Sequence, residues 1–118
     1  MDVLLGRIIL KDTHMAYRGE NIDITVKGDA TWNLDSLEFK VLIYPDRHPE
    51  DATMIDKSEM SRVEGNLYAG SVSYEITKDW PLGYYTVEVL IIENEMSRSV
   101  FVRQGAFTVH DSASKDID

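Results

Sequence analysis

The sequence predicts an all-β fold, an antiparallel sandwich of about seven strands. Three observations carry that reading. Apolar residues alternate with polar ones at period two, most cleanly where Ile22, Ile24 and Val26 interleave with Asp23, Thr25 and Lys27. Glycine, proline and asparagine punctuate the chain at short intervals, and no long helical pattern appears. The corner Trp80-Pro81-Leu82-Gly83 launches a strand at once, with Tyr85, Val87, Val89 and Ile91 on one face. Such a corner carries a chain from one layer of a sandwich to the other.

The elements follow in order. A first strand is expected over residues 3–10, apolar on both faces, with Gly6 as its weak point. A loop over 11–18 closes at Gly19, and the alternating strand 22–27 ends at Gly28-Asp29. The next strand, 37–44, points Leu37, Phe39, Val41 and Ile43 inward and stops at Pro45, which has no N–H for a ladder. A polar, acid-rich stretch follows over 46–59; one helical turn is expected around 52–57, with Met54 and Ile55 capping the core. A short strand, 60–63, turns through Glu64-Gly65-Asn66 into a strand over 67–77, with Tyr68, Val72, Tyr74 and Ile76 on one face. The strand 84–93 then turns through Asn94-Glu95-Met96-Ser97 and pairs with a last strand, 98–110. Gly105 is a candidate bulge. Without a bulge, Phe101, Phe107 and Val109 share the inward face; with one, Val100 and Val102 replace Phe101.

The chain has 118 residues, which fits one domain, assigned to 1–110, with 111–118 as a disordered tail or linker. It contains no cysteine, so disulfides and thiolate metal sites are excluded. Its 21 acids against 12 bases give a net charge of −9, without a basic run. Nucleic acid and anionic membrane surfaces are therefore not the expected partners. The apolar runs 3–5 and 89–92 fall far short of a membrane span. The start Met1-Asp2, with Arg7 interrupting the apolar stretch, does not read as a secretory signal. A complete gene product is expected to be cytoplasmic or part of a particle assembled there; an excised domain leaves an extracellular site open.

Four segments together resemble immunoglobulin-like modules of the macroglobulin-like and fibronectin-type group. They are Tyr68-Ala69-Gly70-Ser71-Val72, Pro81-Leu82-Gly83-Tyr84-Tyr85, Val87-Glu88-Val89 and Phe107-Thr108-Val109, and Tyr17-Arg18-Gly19-Glu20 before an alternating strand also fits. The resemblance spans roughly the whole chain. No Cys…Trp…Cys pattern is present, so the antibody-type domain is excluded. Modules of this group occur in tandem arrays, surface proteins and phage tail or baseplate proteins. The resemblance implies a binding or structural module without naming a ligand. It also makes Tyr85 the candidate corner tyrosine, its hydroxyl bonding backbone nearby, with Tyr84 as the other choice.

Function is expected at the ends of the sandwich. One end gathers Trp32, Asn33, Asn66, Asn94 and Met96. A flat indole beside oriented amides suits sugar or peptide recognition, and the same indole suits a plug over the core. The other end gathers Asp12, His14, Tyr17, Asp46, His48, Glu50, Asp51, Asp56, Asp79 and Trp80. Asp46, Glu50 and Asp51 are the first choices for a divalent ion, Ca²⁺ foremost, although no metal motif is matched. No phosphate loop, GxSxG or HExxH occurs, so the chain is expected not to be an enzyme. The expected function is a structural or protein-interaction module that spaces, docks or assembles within a larger particle or multidomain protein. Its expected partners are other protein domains, or a second copy through edge strands. A carbohydrate- or peptide-binding module and a calcium-stabilised accessory domain are the alternatives.

Overall fold

The structure is a computed structural model, and it describes residues 2–4, 14–28 and 33–111. Two sheets face each other. The four-stranded sheet has the order β1 (Asp2–Leu4), β3 (Ile22–Lys27), β7 (Leu67–Val72), β6 (Ser61–Glu64). The five-stranded sheet has the order β2 (His14–Tyr17), β9 (Met96–His110), β8 (Gly83–Glu93), β4 (Glu38–Pro45), β5 (Thr53–Asp56). The all-β sandwich expected from the alternation is therefore present. Two edge pairings, β1 with β3 and β2 with β9, are parallel, and the remaining pairings are antiparallel.

The alternation determines which side chains meet between the layers. Ile24 and Val26 of β3 and Phe39, Val41 and Ile43 of β4 are buried. So are Tyr85, Val87, Val89 and Ile91 of β8. Each strand turns one row inward because the side-chain period is two. In β9 the ladder skips: Tyr85 pairs with Phe107 and Val87 with Arg103, so β9 uses two more residues than β8 over that stretch. Gly105 lies inside this irregularity with φ +63°. An even insertion preserves phase, so Phe101, Phe107 and Val109 are all buried although the bulge exists, and Val102 stays 48% exposed. The two sequence alternatives combine: the bulge is present, and the no-bulge face survives it.

Three local expectations need correction. The helical turn expected at 52–57 is instead strand β5, flanked by 3-10 turns at Pro49–Asp51 and Lys57–Glu59. Pairing with β4 puts Ile55 opposite Val41 in the core and leaves Met54 outside, so cross-strand burial outweighs local helix preference. The strand expected over 67–77 ends at Val72. One turn, α1 (Tyr74–Thr77), follows, with Ser73 accepting from the Glu75 N–H and Asn21 Oδ1 accepting from the Tyr74 N–H at 2.7 Å. This turn exposes Tyr74 and Ile76 and buries Thr77, whose hydroxyl donates to Glu20 O and accepts from Gly19 N. The loop expected over 11–18 contains strand β2. Residues 5–10 of the expected first strand lie outside the described residues.

Candidate functional site

The two ends of the sandwich are closed by different chemistry. At the corner end, Tyr85 is buried and donates its hydroxyl to Pro81 O at 2.7 Å, while Tyr84 is 64% exposed. Tyr85 is therefore the corner tyrosine. Its ring stacks on Trp80 at 5.0 Å and on Phe107 at 5.4 Å, and burial pushes its hydroxyl up to about 12. Trp80 is thus core. Asp46 belongs here too: its Oδ1 accepts from Thr86 Oγ1 at 2.7 Å and from Gly105 N at 3.2 Å, which fixes the β9 bulge against β8.

Beside it, His48, Glu50 and Asp51 follow Arg47, a residue with φ +70°, into a 3-10 turn. One ligand atom from each lies within 4.8 Å of the others, and all three side chains are exposed. Glu50 is held below the usual carboxylate range by its own backbone N–H and by the His48 ring, whose Nδ1 lies 2.9 Å from Oε1. A nitrogen donor with two carboxylates suits a borderline transition ion better than Ca²⁺, which takes oxygen ligands. The structure brings Glu50 and Asp51 together with His48. Asp46 turns its carboxylate to Thr86 and Gly105. The sequence signal for His48 was its spacing to both acids, two and three residues on.

At the other end, Asn66 is a structural joint. Its carbonyl accepts from Gly28 N and its Oδ1 from Leu34 N at 2.8 Å, which seats Leu34 in the core. Asn33 is exposed and its Oδ1 accepts from Asp35 N, a local turn. Asn94 and Glu95 hold φ 51° and 69° in the β8–β9 hairpin, and Met96 beyond them is 75% exposed. Trp32 lies outside the described residues. The binding of Lys57 here was not legible in the sequence. Its ammonium donates to Leu34 O and Leu37 O at 2.7 Å and to Asp35 O at 3.2 Å, and lies over the rings of Phe39 and Tyr68. Tyr68 donates to Asp35 Oδ1 at 2.6 Å, and Arg62 reaches the same oxygen at 3.2 Å. That hydrogen bond, then burial, raises the Tyr68 hydroxyl above its ordinary value.

A concavity of about 240 Å³ opens between β2 and β3, with Ile24 and Phe107 at its floor and Glu20, Asn21 and Asp23 among its lining. Among the described residues that line it there is no Ser, Thr, Lys or His. Among the described residues no helix is long and apolar enough to cross a membrane.

No family model and no curated protein matches the chain. Solved structures do. The chain is similar to the N-terminal domain of ORF48 of phage TP901-1, at 7% identity and TM-score 0.54, with 94% of each chain covered. It is also similar to part of a Bacteroides vulgatus protein provisionally assigned as a glycoside hydrolase, at 9% identity and TM-score 0.52. That match covers 86% of this chain and spans 17% of the other. At these identities the likeness is one of fold: this chain is an all-β sandwich domain, the size of a whole phage-protein domain and a small part of a larger protein.

Proposed function

We propose that this chain is a non-catalytic, immunoglobulin-like module that docks or spaces neighbouring proteins within a larger assembly, of the phage tail or baseplate type. The observation that carries this reading is the nearly complete mutual coverage with a phage protein's N-terminal domain. Three features support it. The strand orders β1-β3-β7-β6 and β2-β9-β8-β4-β5 match the ABED and A′GFCC′ orders of immunoglobulin-like sandwiches, with β1 departing from that arrangement by running parallel to β3. The Tyr85–Pro81 bond is a tyrosine corner. Asp35, Asp46 and Lys57 use their side chains to hold loops against the sheets.

The test is co-expression with the products of the flanking genes, followed by size-exclusion chromatography with light scattering. A stoichiometric complex is the expected result. Hydrolysis of any member of a chromogenic glycoside panel, abolished by a single carboxylate substitution, overturns the reading.

A further inference from the structure

We infer that the outer face of the five-stranded sheet is a docking surface for an amphipathic helix of another protein that carries one basic residue, best an arginine, in the middle of its apolar stripe. This names the surface and partner chemistry for the module proposed above and rests on that reading.

The registers place Met54, Leu42, Glu88 and Val102 in one row straight across β5, β4, β8 and β9. At about 4.8 Å per strand the row is about 14 Å long, enough to receive a helix laid across the sheet. Met54 and Val102 are each 48% exposed, and Leu42, Glu88 and the neighbouring Leu90 are half-buried. An outward row of a sandwich is ordinarily polar. The four-stranded sheet largely obeys that rule: its outward rows pair Asp23 with Ser71, Thr25 with Ala69 and Ser61, and Lys27 and Glu64 with a single Leu67. The five-stranded sheet departs from it in this one row, where Met54, Leu42 and Val102 flank Glu88 and Leu90 lies beside them, while the next row, Asp56, Lys40, Leu90 and Ser99, is mostly polar.

Glu88 identifies the occupant. Its carboxylate sits within the apolar row and accepts from the Tyr44 hydroxyl at 3.0 Å through Oε1. Among the described residues no cation is paired with it, and the nearest row's Lys40 is held by Asp56 at 3.5 Å. Covering this face with purely apolar residues would strand a carboxylate, whereas a guanidinium arriving with the helix would pair with it. A second copy is a poor fit for the same reason. Stacking two such faces would bury two Glu88 carboxylates without a cation, between chains of net charge −9.

The experiment is a ¹⁵N NMR titration of the full chain with three synthetic amphipathic helical peptides, identical except for Arg, Leu or Glu at the centre of the apolar stripe. The Arg peptide should bind about tenfold or more tighter than the Leu peptide, with the Glu peptide weakest. The shifts should fall on β4, β5, β8 and β9. Glu88→Gln should erase the Arg preference, and Val102→Arg, which supplies a resident cation without touching Glu88, should erase it as well. Equal binding of the Arg and Leu peptides, or a preference that survives both substitutions, overturns the inference. Shifts confined to β6 would return docking to the sheet edge. Self-association abolished by Val102→Arg would put a second copy on the face. Both overturn this inference, and a flanking-gene complex that persists in the Val102→Arg variant shows the module reading standing without this face.

Discussion

The corner end and the tip end of this sandwich solve one problem in opposite ways. Each must close the gap where two sheets part and leave no buried polar group unpaired. The corner uses rings: Trp80, Tyr85 and Phe107 stack, with one hydroxyl bond to Pro81 O. The tip uses charge: the Lys57 ammonium converges on three carbonyls, and Tyr68 and Arg62 share Asp35 Oδ1. The corner's stability derives mainly from buried apolar area, which salt does not screen, whereas the tip's derives from electrostatics near the surface, which salt does. The corner is thus a fixed element, and the tip is where conditions can loosen the fold.

The largest expected effect lies at the corner. Trp80→Ala removes a buried indole and should cost about 3–5 kcal/mol in chemical denaturation. Tyr85→Phe keeps the ring and loses one hydrogen bond, so about 1 kcal/mol is expected. If the two losses are equal, the hydroxyl rather than the stack closes the corner, and the contrast between the ends fails.

Next comes the tip. Lys57→Met keeps much of the stem's packing and deletes the ammonium, so three carbonyls lose a charged donor. A loss of about 1.5–3 kcal/mol is expected, together with faster hydrogen exchange at Leu34 and Leu37. Lys57→Arg should not restore stability, because a planar fork cannot aim at three converging acceptors as an ammonium does. Raising salt should narrow the gap between Lys57→Met and the parent and leave the gap for Trp80→Ala unchanged.

High pH, unlike salt, acts on the corner as well as on the tip. Tyr85 is held protonated to about 12 against an ordinary 10.0. Between those values the unfolded chain releases a proton that the folded chain retains. The stability associated with that hydroxyl is therefore complete below pH 10 and lost as pH rises through about 12. Tyr68 and Tyr44 are raised in the same direction, by Asp35 and by burial respectively. Melting temperatures measured from pH 8 to 11 should be flat and then fall above pH 10, with the fall smaller in Tyr85→Phe.

Legibility in the sequence divides along the same line. The core rows, the corner and the identity of Tyr85 were readable, because period-two burial and a Pro-Gly corner are local signals. The tip was not. Lys57 lies in an acid-rich stretch that reads as solvated loop, and its partners Leu34, Asp35 and Leu37 are more than nineteen residues away. Asn66 was singled out for recognition, and the structure uses it to hold Leu34. β5 was hidden because Thr53–Asp56 is too short to show a period, and only its pairing with β4 makes it a strand. The apolar row on the outer sheet face was hidden for a related reason: Met54, Leu42, Glu88 and Val102 are aligned by register alone, which no single segment displays.

The smallest expected effect concerns the turn beside the corner. His48, Glu50 and Asp51 converge, yet all three are exposed and mobile side chains must be ordered to hold an ion. Calcium finds two carboxylates there where it takes six to eight oxygens. Stabilisation by an ion grows as the logarithm of its concentration over its dissociation constant, so a weak surface site contributes little at ordinary concentrations. Melting temperatures in Ca²⁺ and in EDTA should agree within about 1 °C on that basis. Zn²⁺ should move the His48 ring signals, with the shift lost in Glu50→Gln. A Ca²⁺-dependent rise of several degrees would reinstate the calcium-stabilised domain, and its disappearance in Asp51→Asn would locate the ion on this turn.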